Sequence, residues 1–146
     1  DEVRDELARY DNEWERQLAD DAGYANELIN QFTPLVAHAT LTQFVEAYFV
    51  VAEVAAMTSH TDDLTLERCV QECFVHGRQA YRRRLISSEA SIGKLLFQNG
   101  YRWLASRGLC GPGGPELTEK RLQTRDDVRE LMRRLQKVQA LALPSA

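Results

Sequence analysis

The chain has 146 residues, 44% hydrophobic and 27% charged, with a formal net charge of −4. That length suits one domain with a real core. The three cysteines, Cys69, Cys73 and Cys110, do not make the framework of a disulfide-stapled secreted domain and fit a reduced intracellular setting.

The net charge conceals an asymmetry. The first 77 residues carry −12 (16 acidic against 4 basic), residues 78–107 carry +6, and the remainder carries +2. An acidic front and a basic middle can attract each other or face different partners. The first residue is Asp1 rather than Met, with no signal-peptide pattern after it, so the sequence reads as a fragment or a processed chain.

In residues 1–21, Val3, Leu7, Tyr10, Trp14 and Leu18 recur at spacings of 4, 3, 4 and 4, which predicts an amphipathic helix with a narrow apolar seam. Gly23 breaks it, and Tyr24, Leu28, Ile29 and Phe32 suggest a short helix over residues 24–31. Thr33 and Pro34 then signal a helix start. The run Leu35–Met57 is apolar nearly all round, apart from a stripe of His38, Thr42, Glu46 and Glu53. It is long enough to cross a bilayer, but two glutamates near its middle would each cost roughly 2.5–3.5 kcal/mol there. It therefore predicts a buried central helix, with Phe44, Val45, Tyr48, Val51 and Val54 inside.

Asp63 or Thr65 can cap the next helix, over residues 64–85. Its core face is Leu66, Cys69, Val70, Cys73, Phe74, Gly77, Ala80, Tyr81 and Leu85. Gly77 on that face costs about 1 kcal/mol against Ala, which points to close approach of a neighbouring helix. Arg78, Arg82, Arg83 and Arg84 suit the negative C-terminal end of the helix. Ile86-Ser87-Ser88 then caps a helix over residues 89–107 with Ile92, Leu95, Leu96, Trp103 and Leu104 inside. Arg107-Gly108-Leu109 reads as a stop with Gly108 left-handed and Leu109 folding back. Residues 110–123, opening on Cys110-Gly-Pro-Gly-Gly-Pro115, read as a flexible linker. The last helix is expected over residues 124–142, with Val128, Leu131, Leu135, Val138 and Ala142 as its seam. No strand pattern stands out, apart from a small ribbon that Leu85-Ile86 and Leu109-Cys110 can form. The expected fold is thus an all-α bundle around residues 34–57: a helical domain over 1–109, a linker, and a C-terminal helix.

The search for catalytic groups is negative. There is no Gly-x-Ser-x-Gly elbow and no phosphate loop ending in Gly-Lys-Ser/Thr. Cys69, Cys73 and His76 share a helix but lack an evident fourth ligand, so they read as core residues and no metal is assigned. A di-iron bundle needs Glu-x-x-His pairs, and Glu72 and His76 are one residue too far apart.

Several ordered pieces resemble a family. Pro34-Leu35 followed by Phe44-Val45-Glu46-Ala47-Tyr48-Phe49-Val50-Val51-Ala52 is similar to a stretch of bacterial-type membrane-associated glycerol-3-phosphate 1-O-acyltransferases. So are Gly77-Arg78-Gln79, Arg84-Leu85-Ile86, Ser88-Glu89-Ala90-Ser91, Leu95-Leu96-Phe97-Gln98-Asn99-Gly100 and Arg107-Gly108-Leu109. The likeness runs from Phe32 to Gln123 and corresponds to the region C-terminal to the catalytic domain. That family carries a His-x4-Asp motif, with His as general base on the glycerol-3-phosphate hydroxyl and Asp orienting it. Here the fifth residue after His38, His60 and His76 is Gln43, Thr65 and Tyr81. An arginine-bearing phosphate-binding stretch and a Pro-Glu-Gly segment are also missing.

The resemblance therefore implies a non-catalytic C-terminal region of a longer enzyme, with no catalytic residue and no cofactor of its own. The whole enzyme would move a fatty acyl group from acyl-CoA or acyl carrier protein to glycerol-3-phosphate, making lysophosphatidate. Its partners would be the catalytic domain of the same polypeptide, the acyl donor, and an anionic membrane surface on the cytoplasmic side. Arg78, Arg82, Arg83 and Arg84 are the candidate contacts to anionic lipid or acyl donor.

Two other readings stay open on the residues. One is a standalone helical interaction module. The other is a winged-helix nucleic-acid binder across residues 66–114, but its second helix offers only Lys94, Arg102 and Arg107, so no nucleic-acid partner is expected.

Overall fold

A computed structural model describes residues 4, 7–9, 11–21, 23–25, 27 and 35–142. Their helices are α1 (Trp14–Asp20), α2 (Leu35–Met57), α3 (Leu66–Arg82), a 3-10 turn (Glu89–Ser91), α4 (Lys94–Ser106) and α5 (Glu116–Ala142). No strand occurs among the described residues, and the all-α class follows. The expected Leu85–Ile86 ribbon with Leu109–Cys110 does not form: the Leu64 N–H donates to the Cys110 carbonyl instead, at 2.9 Å.

α2 is the axis of the bundle. α3, α4, α5 and the 3-10 turn all pack on it. Ala47, Phe49, Val50, Val51, Ala52, Val54 and Ala55 are buried. By length and composition Thr40–Met57 could cross a membrane, but its inner half is already taken up by neighbouring helices. The burial expected of Phe44 is corrected, because Phe44 is 40% and Leu41 51% exposed. The all-round apolar stretch thus begins to be enclosed only from Val45 onward. Thr33 and Pro34, Val3 and Tyr10, and most of the short helix over 24–31 lie outside the described residues.

The single helix expected over 1–21 is interrupted at Asp11, where the Asp11 carboxylate accepts the Glu13 N–H at 2.8 Å. Aspartate side chains compete in this way with the helical ladder. The Tyr24 hydroxyl donates to the other Asp11 oxygen at 2.7 Å.

Thr65, rather than Asp63, caps α3 by accepting the Arg68 N–H at 3.3 Å. The buried stripe of α3 is Cys69, Cys73, Gly77 and Ala80. Tyr81 and Leu85, expected inside, are 38% and 50% exposed. The reason is local: α3 stops at Arg82 and the chain turns through a left-handed Arg84 (φ 59°), so Ile86 rather than Leu85 enters the core.

The expected helix over 89–107 is split. A 3-10 turn capped by Ser88 covers Glu89–Ser91, and extended Gly93 (φ −146°, ψ 140°) precedes α4. Leu95, expected inside, is 66% exposed. At Gly100 the α2 side chains press closest on α4, since a Cβ there would lie 2.9 Å from Val51 Cγ2. At Gly77 the nearest atoms, on Ile92 and Phe97, would be 3.4 Å away, an ordinary contact. The close approach read at Gly77 belongs mainly to Gly100.

α5 begins at Glu116, directly after Pro115, not after Thr124. Its buried face is Leu117, Arg121, Thr124, Val128 and Met132, at helical spacing, whereas Leu131 and Val138 are 46% and 44% exposed. The two polar members of that face conceal it in the sequence. The segment before α5 is also tied down: besides the Leu64–Cys110 bond, the Gly113 N–H donates to the His60 carbonyl at 2.8 Å.

Candidate functional site

The arginine-bearing end of α3 is held in place from two sides. Its backbone closes with the Leu85 N–H donating to the Ala80 carbonyl and the Arg84 N–H to the Tyr81 carbonyl, both at 2.9 Å. That pair of bonds is a Schellman stop, which normally places glycine at the left-handed position. The end of α4 repeats it with the expected residue: Gly108 (φ 70°) is left-handed, its N–H reaches the Ala105 carbonyl, and Leu109 folds back 4% exposed.

The second support is Glu46, on α2 and 3% exposed. One carboxylate oxygen accepts the Ser87 N–H and hydroxyl, each at 2.6 Å, and the other accepts the Ser91 hydroxyl at 2.5 Å. Three donors from one short segment thus converge on a single buried side chain. The carboxylate thereby binds the segment after the arginines to the central helix. Its oxygens are engaged by these donors, so Glu46 serves as a clamp and not as a base.

The four arginines are all exposed, and among the described residues no ion pair or hydrogen bond engages their side chains. Arg82 and Arg84 border one hollow beside Tyr81, Ile86 and Ser87. Arg83 borders another, between α2 and α3, with His76 and Gln79. Arg78 lies one turn earlier and borders neither. The acidic front meets its own arginines instead, with Glu13 on Arg16 at 2.6 Å and Glu15 near Arg4 at 3.7 Å.

Arg121 and Glu53 are groups the sequence reading did not single out in these roles. Arg121 is 1% exposed and donates to the carbonyls of Leu109, Thr58, Ser59 and Gly111 at 2.8 to 3.2 Å. Burial pulls its pKa below that of a free guanidinium, and Cys110 and Asp62 oppose the shift. Four backbone carbonyls thus take the place of a carboxylate partner. No sequence signal marks this role, because Arg121 falls within the expected linker and joins a buried helical face only once α5 begins at Glu116. Glu53 ties α2 to α5 through Arg129 at 2.8 Å, and the Arg129 guanidinium lies 5.5 Å from the Phe49 ring centre.

Among the described residues, the remaining polar groups show no catalytic arrangement. His60 Nδ1 lies 3.4 Å from the Thr118 hydroxyl, and the His38 side chain lies outside the described residues. Cys69 and Cys73 face each other at 3.8 Å in the core, and this contact, together with burial, pushes the Cys73 thiol far up. Among the described residues no three His, Cys, Asp or Glu side chains come together to hold a metal.

The family model described as the glycerol-3-phosphate acyltransferase C-terminal region matches residues 1–112. The acyltransferases plsB1 of Mycobacterium bovis and Mycobacterium tuberculosis are 30% identical over 117 residues. That match covers 79% of this chain and 18% of each relative, so the chain spans about a fifth of their length. No solved structure matches.

Proposed function

We propose, from the premise that this chain belongs to the glycerol-3-phosphate acyltransferase C-terminal region family, that it is the non-catalytic helical part of a glycerol-3-phosphate 1-O-acyltransferase. In this reading a catalytic domain of the same polypeptide supplies the His-x4-Asp base and its orienting acid. The whole enzyme transfers a fatty acyl group from acyl-CoA or acyl carrier protein to glycerol-3-phosphate, making lysophosphatidate for phospholipid synthesis. The observation that carries the reading is the family match over most of the chain, on a sequence in which no histidine has aspartate five residues on.

Glycerol-3-phosphate is soluble and lysophosphatidate is amphiphilic, so the reaction belongs at an interface. We place the enzyme peripherally on the cytoplasmic face of the membrane. Arg78, Arg82, Arg83 and Arg84 contribute attraction to anionic headgroups or to the acidic acyl donor, on the order of 1 kcal/mol each near anionic lipid. What supports this is their exposure and their lack of acidic partners among the described residues.

Two experiments test the proposal. The purified 146-residue chain should transfer no acyl group from acyl-CoA to glycerol-3-phosphate; measurable transfer overturns the division of labour. Arg82→Glu with Arg83→Glu in the whole enzyme should reduce sedimentation with anionic liposomes at low salt. Unchanged sedimentation at both low and high salt leaves the cluster as a solvated helix end.

A further inference from the structure

We infer that the hollow between α2, α5 and the end of α3 is a binding site for a single-chain anionic amphiphile, a phosphate or carboxylate head on one alkyl chain. It stands apart from the headgroup attraction proposed above, which needs only an exposed cationic surface. The hollow measures about 250 Å³, with Phe49, Leu85 and Met132 as its apolar lining and Arg84, Arg129 and Arg133 as its cationic lining. A second hollow of about 320 Å³, between α2 and α3, shares Phe49 and Leu85 and adds Val50, Met57 and Ala80 as apolar lining, alongside the polar Glu53, His76, Gln79 and Arg83. A chain entering beside the arginines thus finds apolar surface continuing on the far side of Leu85.

Charge complementarity selects the ligand. Arg129 is divided between Glu53 at 2.8 Å and Asp126 at 3.6 Å, and Arg133 is paired with Glu130 at 3.1 Å. Among the described residues Arg84 has no carboxylate partner. The one carboxylate lining either hollow, among the described residues, is Glu53, which Arg129 and, at 3.9 Å, Arg125 offset. An anionic head therefore meets one uncommitted guanidinium and two partly committed ones, within reach of an apolar floor. Hydrophobic burial supplies affinity for the chain, and charge-assisted bonds select the head.

The backbone gives a second, independent sign. Arg84 occupies a left-handed conformation, φ 59°, that glycine adopts freely and does adopt at Gly108 in the matching turn of α4. An L side chain there is strained, because its Cβ crowds the neighbouring carbonyl. Strain of this kind concentrates at ligand sites, where the side chain is needed for something other than folding. The arginine is costly to the turn and useful to the hollow.

The test is titration calorimetry of the purified chain with monododecyl phosphate below its micelle concentration. Dodecyl maltoside and inorganic phosphate serve as controls, with parallel sedimentation on phosphatidylglycerol/phosphatidylcholine vesicles. Saturable binding of one monododecyl phosphate is expected, with both controls at least tenfold weaker. Arg84→Gly should raise Tm by about 2–4 °C while weakening binding about tenfold, two changes that a merely structural role cannot produce together. Leu85→Ser, at an exposed position that leaves the core intact, should also weaken binding. Equal affinity for dodecyl maltoside, undiminished binding by Arg84→Gly, or binding to vesicles without binding to the monomeric amphiphile would each overturn the site. The vesicle result would leave the surface reading standing alone.

Discussion

The carboxylate of Glu46 and the hydroxyl of Ser91, 45 residues apart in the chain, meet in a buried hydrogen bond of 2.5 Å. The contact joins two of the short stretches that resemble the acyltransferase family. Gly100, in a third such stretch, packs against Tyr48 and Val51 of the first. Weak local resemblances thus converge on one packed junction, which sets where the arginines at the end of α3 stand.

Removing the clamp should be costly. Glu46→Ala leaves the Ser87 N–H and two serine hydroxyls without their acceptor, and a loss of about 3–5 kcal/mol in urea unfolding is expected. Glu46→Gln keeps two acceptor sites on one oxygen and should lose roughly half of that. A change under 1 kcal/mol for Glu46→Ala would mean the serines are equally well solvated without it.

Arg121→Met replaces a guanidinium by an apolar chain of similar length and strands four carbonyls. A loss of about 3–5 kcal/mol is expected, with amide exchange quickening first at Leu64 and Gly113, whose bonds join the same two loops. Arg121→Lys keeps charge but not the planar fork and should recover less than half of the loss.

The two helical glycines should respond with opposite sign. Gly100→Ala drives a methyl to 2.9 Å from Val51 Cγ2 and should cost about 1–3 kcal/mol. Combining it with Val51→Ala should show positive coupling in a double-mutant cycle. Gly77→Ala meets nothing closer than 3.4 Å and should be neutral or stabilise by up to about 1 kcal/mol through helix propensity. Equal destabilisation at both positions would contradict the spacing of the helices.

Alkaline pH should destabilise the fold. Burial pushes the Cys110 thiol up to about 11 from its usual value of 9.0, so between those values the unfolded chain binds fewer protons than the folded one. Stability then falls as pH rises through that window, by up to about 1.4 kcal/mol per pH unit for one thiol, and is unaffected by Cys110 well below it. Cys110→Ala should flatten the dependence of Tm on pH above 9. An unchanged slope would assign it to Cys73 or Tyr101, whose ionisations burial also opposes.

What the residues by themselves determine is the helical periodicity and the hierarchy of the elements. Leu35–Met57 is apolar on most faces with two glutamates near its middle, which favours the axis of a bundle over a membrane span, and Gly108 with Leu109 spells out its own helix stop. The acidic front and the arginines at the end of α3 are equally plain, because charge is read off residue by residue. Tertiary structure decided the rest, because each remaining assignment depends on a partner distant in the chain. Arg121 looks like a surface residue until four carbonyls from two loops surround it, and its place in the seam of α5 displaced the apparent start of that helix from Thr124 back to Glu116. Arg84 terminates α3 in a conformation that sequence assigns to glycine, which turns Leu85 out and Ile86 in. Glu46 becomes a clamp only because Ser87 and Ser91 return to it from more than forty residues away. Buried polar groups take their roles from the donors and acceptors that surround them, and those are set by the fold.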